Sequence, residues 1–249
     1  TTALVLDAVT TGNIAHPGQR DLYTFSLSEP RQLYFDSLTS SGGFSWSILD
    51  SNGTVVPTRW SSASDGWESA ANPVLALAAG EYTLVIDMSR AVTGNYSFAL
   101  RDLASAVALT PGPSVSGTLN PANETDLYRF EAAAGERFCF DASGGSGQFT
   151  WRLVDPYGRV AFHSGWNDVD VMTLPVAGTW TLLVEGSYWV AGTADYSFNV
   201  NAVTPAAPVE IVFGTTPGPD LMVSDLGVTS ATGTIESGAL LTVSWTTRN

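Results

Sequence analysis

Apolar and polar side chains alternate along several short stretches of the chain. Tyr23 and Phe25 alternate with Leu22 and Thr24; Phe44, Trp46 and Ile48 alternate with Ser45 and Ser47. Tyr82, Leu84 and Ile86 keep the same spacing, as do Tyr96, Phe98 and Leu100. A period of two puts one set on each face of a pleated strand, so these stretches predict half-buried β-strands. Each ends in a turn signal, such as Asp50-Ser-Asn-Gly53, Asp155-Pro-Tyr-Gly158, Ala79-Gly80 or Ala177-Gly178. Regularly spaced short strands of this kind predict an antiparallel two-sheet sandwich. Helical spacing is absent, apart from a short turn expected between Arg101 and Ala108 that links two halves of the chain.

Those halves are repeats. Arg20-Asp21-Leu22-Tyr23-Thr24-Phe25 recurs as Thr125-Asp126-Leu127-Tyr128-Arg129-Phe130. The same offset carries Gly12 onto Gly117, Phe35-Asp36 onto Phe140-Asp141, Trp46 onto Trp151, and Asp50 and Gly53 onto Asp155 and Gly158. After a gap, Ala79-Gly80-Glu81-Tyr82-Thr83-Leu84 matches Ala177-Gly178-Thr179-Trp180-Thr181-Leu182. Asn95-Tyr96-Ser97-Phe98 likewise matches Asp195-Tyr196-Ser197-Phe198. Self-similarity at this spacing predicts two copies of one module, over residues 1–103 and 104–203. Residues 204–218 hold Pro205, Pro208 and Pro217, with Pro219 next, and read as a linker with one extended strand, Val209–Phe213. Residues 219–249 carry two further strand patterns, Pro219–Val223 and Leu240–Trp245, too little to close a core alone.

The ordered series Gly…Asp-x-Tyr-x-Phe, Asp-x-x-Gly, Ala-Gly-x-Tyr/Trp-Thr-Leu and Gly-x-x-x-Tyr-Ser-Phe resembles the bacterial pre-peptidase C-terminal domain family. It spans about residues 4–101 and 106–202. The tail, from Pro219-Asp220-Leu221-Met222-Val223 to Val243-Ser244-Trp245, resembles the start of a CARDB-type immunoglobulin-like domain. The resemblance implies jelly-roll-like sandwiches in a secreted or cell-surface bacterial multidomain protein. Their partners would be other domains of the same polypeptide, and some relatives bind calcium or extracellular polymers. Thr1-Thr2-Ala3 has neither a charged leader nor an apolar core, as expected of a processed boundary.

Composition narrows the chemistry. The 249 residues carry 24 acidic and 10 basic side chains, a net charge of -14, and every basic residue is arginine. Without lysine there is no Schiff base, no phosphate-loop lysine and no Ser-Lys pair. The negative charge argues against nucleic acid and against an anionic membrane surface, and no apolar run is long enough for a membrane span. At 44% hydrophobic and 14% charged, the chain can bury real cores. The single Cys139 cannot make an internal disulfide, and it stands on a strand opposite Phe138 and Phe140, which reads as a passive thiol. His16 and His163 lie in turn-like or isolated contexts without a nucleophile nearby in sequence, so the chain is expected not to be an enzyme.

Two binding chemistries stay open. Trp46, Trp151 and Trp180 belong to strand patterns, but Trp60, Trp67, Trp166 and Trp189, with Tyr188, fall in stretches rich in Ser, Gly and Asp. Exposed indoles flanked by polar groups suit stacking on the rings of an extracellular polysaccharide or glycan. The alternative is that they cap the sandwich ends or fill the joint between modules. Calcium is the other candidate, through Asp126 with Glu124, or through Asp168 and Asp170, which would share one strand face. The repeated Asp21/Asp126 and Asp50/Asp155 weigh towards fold rather than ligand, since Asp at the head of an Asp-x-x-Gly turn accepts local backbone hydrogen bonds. The reading that follows is a non-catalytic tandem β-sandwich acting as spacer, presentation or attachment region. A carbohydrate-binding module and a calcium-stabilised adhesin stalk stand as its alternatives.

Overall fold

The computed structural model describes residues 1–40, 43–63, 72–88, 92–204, 222–230 and 241–248. It is almost entirely β: among the described residues there is no α-helix, only two single turns of 3-10 helix. The first copy contributes β1 (Thr2–Ala3), β2 (Val9–Ile14), β3 (Arg20–Leu27), β4 (Arg31–Ser37), β5 (Phe44–Asp50), β6 (Gly53–Trp60), β7 (Leu75–Leu77), β8 (Gly80–Met88) and β9 (Gly94–Asp102). The second contributes β10 (Val107–Ala108), β11 (Val115–Leu119), β12 (Thr125–Ala132), β13 (Arg137–Gly145), β14 (Phe149–Val154), β15 (Val160–Gly165), β16 (Val169–Thr173), β17 (Gly178–Gly186) and β18 (Ala194–Ala202).

In each copy these strands make two sheets with the same order. The front sheets run β1-β3-β8-β5-β6 and β10-β12-β17-β14-β15; the back sheets run β2-β9-β4-β7 and β11-β18-β13-β16. Pairing is antiparallel except for β1 on β3 and β10 on β12, short parallel pairs that the sequence pattern does not announce. The period-two alternation sets the register. Tyr23 and Phe25 are buried from the front sheet and Phe35 and Phe98 from the back, whereas Leu22, on the other face of β3, stays 38% exposed. Face-to-face packing of the two inner faces builds one aromatic core per copy, around Trp46 in the first and Trp151 and Trp180 in the second. Ring pairs such as Phe35–Trp46, stacked at 4.1 Å, add specific contacts to the burial of area.

The two turn aspartates do what their position predicts. Asp50 Oδ1 accepts from the Asn52 and Gly53 amides at 2.7 and 3.0 Å. Asp155 Oδ1 accepts from the Tyr157 and Arg159 amides, and Gly53 and Gly158 take the positive φ that closes each turn. Between the copies, β9 runs straight into a 3-10 turn at Leu103–Ser105 capped by Asp102, and β10 follows at once. The short turn expected between Arg101 and Ala108 is thus present as a 3-10 turn.

Residues 1–203 form one compact unit and 204–249 another. In the latter, β19 (Met222–Ser230) pairs antiparallel with β20 (Leu241–Arg248), with a shift of register between Ser224 and Gly227. The expected strand at Val209–Phe213 lies outside the described residues.

Candidate functional site

The most repeated sequence motif resolves into a brace inside each sandwich. Gly12 on β2 stands opposite Tyr96 on β9, and Gly117 stands opposite Tyr196. The tyrosine ring lies over the glycine so closely that a Cβ on Gly12 would come within 2.2 Å of it, and one on Gly117 within 2.3 Å. From there Tyr96 donates to Asp21 Oδ2 at 2.5 Å and meets the Tyr23 hydroxyl at 2.7 Å. In the second copy Tyr196 donates to Asp126 Oδ2 at 2.6 Å and meets Tyr128 at 2.5 Å. Burial first, then the neighbouring carboxylate and hydroxyl, push the Tyr96 and Tyr196 phenols far above their ordinary range, so they stay protonated as donors. The Gly, Asp and two Tyr of the repeat are therefore bound to one another.

A second constellation lies where the back sheet of the first copy meets the front sheet of the second, and the repeat does not duplicate it among the described residues. Tyr34, Leu103, Ala106, Leu127, Val154 and Leu183 form an apolar cluster drawn from both copies. Within it, Arg152 and Glu185 form an ion pair that is 1% and 0% exposed, with Nε 3.2 Å from both carboxylate oxygens. Tyr34 crosses from the first copy to donate to Glu185 Oε1 at 3.2 Å, and Thr150 donates to Oε2 at 3.4 Å. Burial raises the Glu185 carboxyl above its usual range, against the pull of Arg152 and the hydrogen bonds. Beside this pair lies Asp36, also 0% exposed. Its Oδ2 accepts from Arg101 Nε at 3.2 Å and from the Thr125 amide of the second copy at 3.3 Å. Oδ1 has no partner. Burial outweighs Arg101 and moves the Asp36 carboxyl from 3.8 to about 7. Around the rim, Gln32 donates to the Pro156 carbonyl at 2.9 Å and Asn123 to the Ser37 carbonyl at 3.4 Å.

No pattern within one strand marks these residues, because the first copy's Tyr34, Asp36 and Arg101 lie on a face that alternation assigns to solvent. The available signal was disagreement between copies at equivalent positions: Tyr34 against Cys139, Arg101 against Asn201, Ser47 against Arg152 and Asp87 against Glu185. Where the repeat breaks, one copy touches the other.

The aromatic candidates separate. Trp166 turns inward: its ring packs on Phe149, Trp151, Tyr196 and Phe198, and its N–H donates to the Gly144 carbonyl at 3.0 Å. Trp60 ends β6 and is 50% exposed; Trp189 is 38% exposed. Trp189 is held in place by its indole N–H on Gln148 Oε1 at 3.2 Å and by the edge of Tyr188, 5.0 Å away. Trp67 lies outside the described residues. Near the Gln148 turn, β11, β18 and residues 144–146 border a shallow groove of about 480 Å³. Ser116, Thr118, Ser146, Asp195 and Ser197 line it together with glycines.

The carboxylates proposed for calcium are spread over different tasks. Asp126 belongs to the tyrosine brace, and Glu124 Oε1 accepts from the Asn120 amide at 2.8 Å while Oε2 lies 4.0 Å from Arg101. Asp168 falls one residue before β16 rather than on it, and its Oδ1 accepts from the Ala142 amide at 2.9 Å. Asp170 stands exposed on the strand. Among the described residues, no group of three or more His, Cys, Asp or Glu side chains is placed to hold a metal ion. Burial, then Asp141, raises the half-buried Cys139 thiol, and burial, then Arg152, lowers the His163 imidazole. No helix among the described residues is long and apolar enough to cross a membrane.

No protein-family model and no curated protein matches the sequence. Among solved structures, the chain is similar to PliG, a periplasmic inhibitor of g-type lysozyme from Aeromonas hydrophila. The identity is 16%, over 39% of this chain and 96% of that one, with a TM-score of 0.35. It is also similar to the CUB1-EGF-CUB2 region of human MASP-1/3, at 9% identity over 76% of this chain and 99% of that one, with a TM-score of 0.25. A223, a turret protein of Sulfolobus turreted icosahedral virus, matches at 8% identity over 80% and 100%, with a TM-score of 0.21.

Proposed function

We propose that residues 1–203 act as a rigid, non-catalytic spacer that presents neighbouring domains of a secreted or cell-surface bacterial protein. The reading takes up the resemblance to pre-peptidase C-terminal modules and, for the tail, to a CARDB-type domain. One observation carries it: the joint between copies is a buried core with its own ion pair, not a linker. Inter-domain contacts are ordinarily polar and allow relative motion unless they are large and apolar. Burial pushes the Cys139 thiol up and so leaves less of the thiolate that reacts, in keeping with a non-catalytic reading. The test is a distance distribution by pulsed spin resonance between labels at Val9→Cys and Val171→Cys in a Cys139→Ser background. One narrow distribution is expected. A broad or bimodal one would mean that the copies move independently and that the chain is no rigid spacer.

The exposed, pinned indole of Trp189 favours a second reading, attachment to an extracellular polysaccharide. A ring fixed at two points loses little entropy when a sugar stacks on it. On a glycan array, wild-type binding is expected to fall at least roughly tenfold in Trp189→Ala, a loss typical of an aromatic anchor, and less in Trp60→Ala. Wild-type protein that binds no glycan would remove this reading and leave the spacer untouched.

A further inference from the structure

We propose that the joint is a proton-tightened latch: the buried carboxyl of Asp36, held between Arg101 of its own copy and the Thr125 amide of the other, makes docking stronger in mildly acidic than in alkaline solution. The geometry is asymmetric in a way that requires this. Oδ2 has two donors, both at long distance, and Oδ1 has none. An ionised carboxylate so placed has given up its water for incomplete replacement, and a protonated one has far less to lose.

The charges around it point the same way. Among the described residues Arg101 is the cation that bonds Asp36, and it is shared: its Nη2 lies 4.0 Å from Glu124 and its Nη1 donates to the Asp7 carbonyl at 3.4 Å. Glu124, one residue before β12, adds negative charge near Asp36, and Asp126 adds to it in turn. The Arg152–Glu185 pair, reached through Tyr34 and Thr125, is internally neutral. Burial also raises Glu185 and Glu124, so no carboxylate of the joint with a resolved shift opposes the direction set by Asp36. A crevice of about 300 Å³, lined in part by Asp7, Arg101, Thr125 and Asp126, opens beside the two residues that bond Asp36.

The second copy supplies the comparison. Asp141 holds the position of Asp36, but it is half-buried and its Oδ2 accepts from Asn201 at 2.6 Å. The same strand aspartate is fully buried only where the other copy covers it. By linkage, what docking does to the proton affinity, the proton does to docking.

The sign follows from the folded value of about 7 against 3.8. Between those two values the folded chain binds the extra proton, so stability is greatest at the acidic end of the window and falls as pH rises through it. Scanning calorimetry of the full chain is expected to show a midpoint higher at pH 5 than at pH 8 by on the order of 5 °C. Asp36→Asn should flatten that slope and Asp141→Asn should leave it. General repulsion within an acidic chain would also favour low pH, but it would survive Asp36→Asn; a variant that keeps the wild-type slope overturns the latch. Should that variant not fold, carbon-detected NMR of wild-type Asp36 decides. A titration midpoint near 7, with faster Thr125 amide exchange at pH 8 than at pH 5 after correction for intrinsic rates, supports the latch. A midpoint near 4 overturns it.

Discussion

Replacing Arg152 by leucine is expected to lower the free energy of unfolding by about 3–5 kcal/mol, the loss typical of breaking a buried ion pair from one side. The magnitude comes from what is left behind. Glu185 is fully buried and would keep only the Tyr34 and Thr150 hydroxyls, at 3.2 and 3.4 Å. Two long neutral hydrogen bonds do not replace a guanidinium whose Nε reaches both oxygens. The carboxyl would then hold its proton to higher pH, so the loss should grow as pH rises. The double variant Arg152→Leu/Glu185→Leu should regain most of the loss, because it removes the stranded charge and both desolvation penalties. Urea unfolding checks both, with the slope unchanged if only stability has moved. A single variant that loses less than about 1 kcal/mol would place the pair in the class of solvent-screened surface bridges instead.

The second large effect is expected from a single methyl group. In Gly12→Ala the new Cβ would sit 2.2 Å from the Tyr96 ring, a distance no pair of carbon atoms sustains. The ring cannot simply swing aside. It is 2% exposed, its hydroxyl is bound to Asp21 and Tyr23, and Phe44 and Phe98 pack against it. Relief requires either moving β2 away from β9 or breaking the brace, and the cost is about 3 kcal/mol, the upper end for an overpacked core. Gly117→Ala should behave alike in the second copy, since its contact is 2.3 Å. Gly18→Ala is the control, for no atom lies within 4 Å of its Cβ position, and its positive φ adds only backbone strain. A denaturation midpoint for Gly12→Ala no lower than that of Gly18→Ala would refute the brace.

Local rules carried much of the fold because strand faces and turns are set by near neighbours in sequence. Alternation in Phe44–Ile48 and Tyr82–Ile86 fixes which side of each strand is buried, and the turn at Asp50–Gly53 fixes where a hairpin reverses. The brace was half legible: Gly, Asp and Tyr recur in register, but only the folded sheets show that β2, β3 and β9 bring them together. The joint was the least legible part. Tyr34, Asp36 and Arg101 occupy outward positions of ordinary strands, and the partner that buries them stands about 90 residues or more away. The indoles show the same limit. Trp166 and Trp189 sit in similar Gly- and Ser-rich sequence, yet one closes the end of a core and the other stands out from it.

The joint also bears on how such chains assemble. It joins unlike surfaces, a back sheet to a front sheet, and contacts of that kind do not close on themselves; repeated from molecule to molecule they would grow open filaments. At the two outer faces the side chains differ from those that dock. Leu22 matches Leu127, but Ser47 and Asp87 stand where the second copy offers Arg152 and Glu185, while Cys139 and Asn201 stand where the first copy offers Tyr34 and Arg101. The outer faces thus lack the arginine that neutralises Glu185 and the tyrosine that reaches it. Pairing between molecules would set Asp141 beside Asn201 where Asp36 has Arg101, so the outer faces are poorly matched to the contact that the two copies make with each other.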